Sequence, residues 1–536
     1  MKFKHKIVYY ISILILVSVT SAYLPSQDFN SLLSPDENYN YILMKEYAEH
    51  GRLFLLEDYS SLDHENLLHP RQFVTFYNKI VPFNYVGLPV IYAPFYLFLG
   101  ESIKVAISIV LAVISTLYLT KIAIHLFGSE VRYYSWLGFI SCTPLIYYLN
   151  LPFLNINVAV VFFIIGTYYL IRFKNIGKYE FLILSILFYS TAIFVRYHYI
   201  IFVFFIFLVI IVDNKLKSFI LNLFAFITGI SVIAVLPIIW INSELYGDPF
   251  TTGFSLFNLI NSYRPEYTSP FENTPLEYLF PSPIIPEYIF KNIVRLIVLF
   301  NPILFALGFY GVLVYLRQHK REISITKLLL ASLFVVYVFI FRGSSYTWRS
   351  YDFDYIGFDV AILRYWILLY IFMSIFLLNG IKEIKKKINR RIFVLLLVSI
   401  LVVSLSDLFV SKDHNLNIRS ETLERQDIFA DNIYKYITQF DNSEKIVVYT
   451  SFLDKALSPI GIDVATWWYG KDNYHPEKIA SSMARIYNHN ISVYLIKEEY
   501  MDIDELNYIL DEKGYKLVKV LQLDWEVFKL VKNDKS

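Results

Sequence analysis

Of 536 residues, 56% are apolar and 18% charged, more hydrophobic surface than a soluble fold of this length can bury. The apolar side chains fall in blocks of about 18 to 25, the length an α-helix needs to cross a bilayer, which excludes a soluble globule and predicts a polytopic membrane protein. Lys and Arg number 48 against 46 Asp and Glu; the net charge of +2 gives no basic field for nucleic acid, and the single cysteine, Cys142, excludes an internal disulfide or a cysteine zinc cluster.

The first apolar run, near 7 to 24, follows Lys2, Lys4 and Lys6 and ends at Pro25; its length predicts an uncleaved anchor rather than a signal peptide. Loop 26 to 81 comes next, and in it Ser34, Pro35, Asp36 and Glu37 form a capping box. Tyr39, Ile42, Leu43 and Tyr47 then recur at helical spacing until Gly51, which predicts a helix lying on the membrane surface. The cap gives Glu37 a structural task, whereas local geometry demands none of Asp36 beyond a favourable place at the helix N-terminus. His64, Glu65 and His69 do not make a zinc-protease helix, because a spacing of five turns the two imidazoles roughly 140° apart. Between 81 and 100, Pro82, Gly87, Pro89 and Pro94 interrupt an apolar stretch and predict a broken or re-entrant approach to the second span.

Further spans are predicted near 101 to 127, 131 to 150, 153 to 171, 179 to 195, 199 to 212, 217 to 241, 291 to 316, 324 to 341, 360 to 380 and 391 to 410, about eleven in all. Lys2 to Lys6, Arg172 to Lys178, Lys215 and Lys217, Arg317 to Arg321 and Lys382 to Arg391 fall on one side, which is therefore cytoplasmic. Loops 242 to 290 and 342 to 358 are poor in Lys and acidic or aromatic, and face outward. An odd number of spans places residues 411 to 536 outside as well. Arg196, in a tight Arg-Tyr-His turn, and Arg364, one turn into a late span, then both lie at the outer face. Snorkelling to headgroups accounts for many such arginines; the alternative is an anion site, since two guanidiniums at one level can hold a lipid-linked phosphate. The loop before Arg364 interleaves Arg349 and Asp352 with Tyr346, Trp348, Tyr351 and Tyr355, which suits a sugar phosphate and equally an interfacial belt. The 45 tyrosines and 46 phenylalanines fit either setting.

The tail changes character. Strand-like runs at 445 to 450, 492 to 496 and 516 to 523 alternate with helical ones at 420 to 440 and 503 to 513, predicting a small α/β domain over 411 to 536 appended to an all-α transmembrane domain over 1 to 410.

An acidic pair after the first span, a surface helix, the Arg364-Tyr365 dipeptide at the head of a late span and an extracytoplasmic tail resemble the GT-C glycosyltransferases. The nearest likeness is to family 39 and its relatives, the protein O-mannosyltransferases and the lipid A aminoarabinose transferases. Asn242 to Phe254 (NSELYGDPFTTGF) resembles an N...FGSPL.TGY segment of prokaryotic members. The likeness runs in order and type over residues 7 to 380 and stops before the tail.

The resemblance implies an inverting transferase that takes a sugar from a polyprenyl (dolichyl or undecaprenyl) phosphate carrier and passes it to a protein, glycan or lipid acceptor outside the cell. By position, Asp36 is similar to the family's catalytic base, with Glu37 beside it, and Arg364 to a phosphate ligand; Arg196 is a further candidate. Asn155 and Asn157 stand where relatives often carry an acidic residue, so a second carboxylate is not expected there. Arginines can neutralise a departing monophosphate, so neither a metal nor another cofactor is expected. Two other readings remain: an oligosaccharyltransferase using a lipid pyrophosphate, suggested by Trp467-Trp468-Tyr469-Gly470, and a lipid or solute transporter. Against the transporter stand the lack of an internal repeat and the clustering of ionisable residues at the outer face.

Overall fold

The computed structural model describes residues 34–56, 62, 67–77, 79–212, 216–253, 256, 286–294, 297, 301–319, 325–338, 360–409, 426, 428–436, 439, 445–450, 453–458, 462–466, 474–498, 500–522 and 525–533. The first expected span, loop 342 to 358 and most of loop 242 to 290 lie outside these residues, as do Trp467 to Gly470.

Helix α1, Pro35–His50, starts where Ser34 caps it and stops at Gly51, whose φ of 70° lets its N–H return to the Tyr47 carbonyl. A hairpin follows, β1 (Phe73–Phe76) antiparallel to β2 (Lys79–Pro82). Helix α2, Gly87–Leu99, is regular where a broken segment was expected. The reason is positional: Pro82 precedes it, Pro89 sits in the first turn, where an N–H has no intrahelical acceptor, and only Pro94 is interior. The break comes instead at Gly100, φ 53°. Helix α3, Ile103–Phe127, spans 25 residues, about 37 Å at 1.5 Å per residue.

The single span expected over 131 to 150 is split into α4 (Ser135–Ser141) and α5 (Thr143–Leu149). Pro144 cannot donate to the preceding turn, and Cys142 takes up the bend at ψ 60°. Then come α6 (Asn155–Ile176), α7 (Tyr179–Val195), α8 (Tyr199–Ile211) and α9 (Leu216–Ile230). A π turn at Ser231–Val235 joins α9 to α10 (Leu236–Tyr246), and Pro237, which has no N–H to donate, follows directly. Further helices among the described residues are α11 (Pro286–Ile293), α12 (Pro302–Gln318), α13 (Ile325–Tyr337), α14 (Val360–Lys385) and α15 (Arg390–Phe409). Among the described residues four helical stretches are long and apolar enough to cross a membrane: Gly87–Phe127, Asn155–Ile176, Leu216–Tyr246 and Trp366–Lys385.

In the tail are β3 (Ile446–Tyr449), α16 (Asp454–Leu457), β4 (Asp463–Ala465), α17 (Pro476–Tyr487), β5 (Ser492–Ile496), α18 (Ile503–Asp511), β6 (Tyr515–Gln522) and β7 (Glu526–Lys532). The α/β character expected there is present, with β4 and β7 added to the strands read from the sequence.

The chain divides into two compact units. Among the described residues, one holds those of 102–239 and 264–418, the other those of 25–101, 240–263 and 419–536. In the first, helices meet through small residues. A methyl group at Gly166 would lie 2.7 Å from the Tyr189 ring, whose hydroxyl reaches Thr167 at 3.0 Å, so α6 and α7 lie close. The α12 and α14 backbones touch: a methyl at Gly380 would lie 2.5 Å from the Leu307 carbonyl oxygen, one at Gly311 would collide with the Phe376 carbonyl, and Asn379 donates to the Gly311 carbonyl at 2.9 Å.

The second unit is built on a five-stranded mixed sheet in the order β4-β3-β5-β7-β6, parallel from β4 to β5 and antiparallel beyond. Alternation sends Val447 and Tyr449 to one face and Val448 to the other. The first face is covered by α17 and α18 and by Leu67 and Leu68 from the chain before β1; the second by Phe429, Ala430 and Ile433 and by α16. Beyond the end of β4, the Thr466 N–H donates to the Leu67 carbonyl at 2.6 Å and its hydroxyl to the His69 carbonyl at 2.7 Å. Arg485 adds a bond to the Leu62 carbonyl at 2.9 Å.

Candidate active site

The Ser34 Oγ accepts from the Glu37 N–H at 3.2 Å, the helix-capping bond expected from the sequence. The cap fixes the first turn of α1, and the turn separates the acidic pair. Glu37 points inward and is 1% exposed, whereas Asp36 is half-buried at the surface. There it meets Asn84, whose Nδ2 donates to Asp36 Oδ1 at 3.4 Å and to Gln72 Oε1 at 3.4 Å. The Asn84 oxygen accepts from the Tyr85 N–H at 2.9 Å, which sets the amide with its nitrogen toward the two acceptors. Gln72, just ahead of β1, has φ 73°, the left-handed region that side chains other than Gly, Asn and Asp seldom take, and its carbonyl accepts from the Phe83 N–H at 3.0 Å.

Residues 82 to 85 are where three parts of this unit converge. The Tyr39 hydroxyl of α1 donates to the Tyr85 carbonyl at 2.9 Å, and the Tyr246 hydroxyl donates to the Pro82 carbonyl at 2.6 Å. Gly253 lies so close that any side chain there would overlap Phe83 Cα and the Pro82 carbonyl. The stretch NSELYGDPFTTGF thus sets Tyr246 and Gly253 against the segment that carries Asn84. Its turn is closed by Asp248, which accepts from the Phe250 N–H at 3.3 Å and the Thr251 hydroxyl at 2.7 Å. The Thr251 bond first, then the Phe250 one, hold the Asp248 carboxyl below its ordinary range. On α1, Tyr41 donates to Glu101; burial, and after it the Glu101 carboxylate, push the phenol well above its usual value, so it stays a donor.

In the first unit, Arg196 caps the C-terminus of α7 with its N–H on the Ala192 carbonyl and is 7% exposed. Such burial is not that of a side chain reaching out to headgroups. Arg364 is half-buried near the start of α14. The Tyr365 side chain, Arg349 and Asp352 lie outside the described residues. Asn155 and Asn157 open α6, the Asn157 amide bonded to the Leu151 carbonyl. Two features escaped the sequence reading. Lys291 of α11 is buried and paired with Glu287 at 2.6 Å, and the Asp36, Asn84 and Gln72 group assembles from positions with no periodic relation. Among the described residues no cluster of three His, Cys, Asp or Glu side chains could hold a metal ion. What the group around Asp36 can do is present a carboxylate in a set orientation to a hydroxyl brought against it.

No protein-family model matches the chain, and no curated protein matches it. Solved structures do. ArnT from Cupriavidus metallidurans in the apo state is 13% identical, with TM-score 0.54 over 99% of this chain and 98% of that one. The same protein bound to undecaprenyl phosphate is 12% identical, with TM-score 0.56 over 98% and 97%. The chain has the fold of these ArnT structures along essentially its whole length, and the resemblance to the GT-C glycosyltransferases holds as a likeness of fold.

Proposed function

We propose that this chain is a membrane glycosyltransferase that takes a sugar from a polyprenyl phosphate carrier and delivers it, with inversion, to an acceptor hydroxyl outside the cell. The observation that carries the proposal is the seat of Asp36: a half-buried carboxylate, fixed by a capped helix and an asparagine amide, in a chain with the fold of a protein seen with undecaprenyl phosphate. The acceptor oxygen attacks the anomeric carbon as the bond from that carbon to the phosphate oxygen breaks; the electron pair leaves with the lipid phosphate, and Asp36 takes the hydroxyl proton. Arg364 and the buried Arg196 stabilise the charge growing on the phosphate, an interaction strongest in the transition state. Tyr365, Arg349 and Asp352 are assigned to the same donor. Glu37, buried beside Asp36 in the same turn, completes the acidic pair.

Sidedness has support of its own. Segments on 62 to 85, 240 to 253 and the tail bond to one another within one unit, so they occupy one side of a membrane. In this proposal the lysine-rich connections face the cytoplasm and these segments face outward.

The test is transfer from a polyprenyl-phosphate monosaccharide by purified protein in lipid. Asp36→Asn is expected to lose at least about 100-fold in kcat with unchanged yield and Tm, and Arg364→Ala to raise the donor KM or lower kcat. Full activity in Asp36→Asn removes the base assignment; no transfer from any such donor removes the function.

A further inference from the structure

We infer that Asn84 is a positioning residue for Asp36, holding the carboxylate in register through an amide it shares with Gln72. The inference rests on the reading of Asp36 as the general base. Asn84 is committed on three sides: its oxygen to the Tyr85 N–H, its nitrogen to Asp36 and to Gln72. A side chain so held cannot rotate without breaking all three bonds, so the position of its N–H groups is set by the backbone around it.

Gln72 supplies the second half of the argument. Its left-handed backbone is of a kind that persists only where the surroundings over-determine it, and such residues gather at functional sites. Here the carbonyl is tied to Phe83 and the side chain to Asn84. A few residues upstream, Leu67 and His69 are fastened to Thr466 of the tail sheet. The bonds to Asp36 and Gln72 are long, as hydrogen bonds at catalytic groups often are before substrate closes the site.

The measurement is a set of kcat against pH profiles on full-length protein in lipid with a polyprenyl-phosphate monosaccharide. Asn84→Asp keeps an oxygen for Tyr85 and removes the donor. It is expected to lower kcat roughly tenfold, leave the donor KM within about twofold, and move the acid limb to higher pH, because a carboxylate deprived of an N–H donor and given an acidic neighbour binds its proton more tightly. Gln72→Met, which removes the acceptor that steadies the amide, is expected to move the limb the same way by less. The double variant is expected to go no further than Asn84→Asp alone, as shared function requires. An unmoved limb in both single variants, whether kcat holds or falls in step with Tm, overturns the inference. Asp36→Asn separates the layers: if that variant is active the base reading itself fails, and if it is inactive while both limbs stay put, only the role of Asn84 fails.

Discussion

Thr466→Val tests whether the tail sheet carries part of the load at the candidate site. Thr466 is 2% exposed, and its hydroxyl donates to the His69 carbonyl at 2.7 Å. Valine keeps the shape and the backbone bond to Leu67, so the only loss is one buried donor. Removing it costs about 1–3 kcal/mol, of which the added methyl returns at most about 0.8 kcal/mol. With the methyl's full return the net loss is about 0.2–2.2 kcal/mol, and at about 2–4 °C per kcal/mol for a folding unit of this size Tm falls by roughly 0.5–9 °C. Exchange of the Phe83 amide, which bonds the Gln72 carbonyl, reports on the same region; if both open together it speeds up by up to roughly 40-fold. Differential scanning fluorimetry and hydrogen exchange by mass spectrometry read the two quantities. A variant with wild-type Tm and wild-type exchange over 67 to 83 would refute the coupling.

Gly311→Ala drives a methyl into the Phe376 carbonyl and displaces the Asn379 bond, so about 2–4 kcal/mol of stability is expected to be lost. Gly229→Ala meets only the Ile186 side chain, which can turn aside, and is the milder control in the same thermal assay. Glu526 lies between Lys519 and Lys497, which hold its carboxyl below the ordinary 4.5. A depressed carboxyl stabilises above its unfolded value and loses that contribution as pH falls through the folded one. Glu526→Gln is therefore expected to lower Tm at neutral pH, and to flatten the decline of Tm with acid below about pH 4.5, more so at low salt.

What was legible in the sequence was what is local. The cap at Ser34 and the stop at Gly51 are set by residues within a few positions, and both α1 ends follow. Three tail strands were legible because alternation shows within a run of four to eight residues. Strand β7 was lost because only three residues of sequence separate it from β6, so two runs read as one signal followed by a charged end. Strand β4 has three residues, too few to alternate. The break at Cys142 was hidden by unbroken apolarity, although Pro144 was its sign. At the candidate site, Asp36 stands out in the sequence through the acidic pair that resembles the GT-C pattern. Asn84 does not, because it reaches Asp36 across 48 residues and Gln72 across 12, and contacts made by tertiary folding leave no spacing to read.

The close seam of α12 and α14 bears on traffic through the bilayer. Where Gly308, Gly311 and Gly380 bring two backbones into contact, no layer of side chains separates the helices, so there is no slot that a prenyl or acyl tail could part without dismantling the pair. A lipid-borne donor of the kind proposed would therefore slide in along some other groove. Bulky thiol-reactive lipids placed against a scan of single cysteines would trace that route, and the α12–α14 seam is the line along which they should leave no mark.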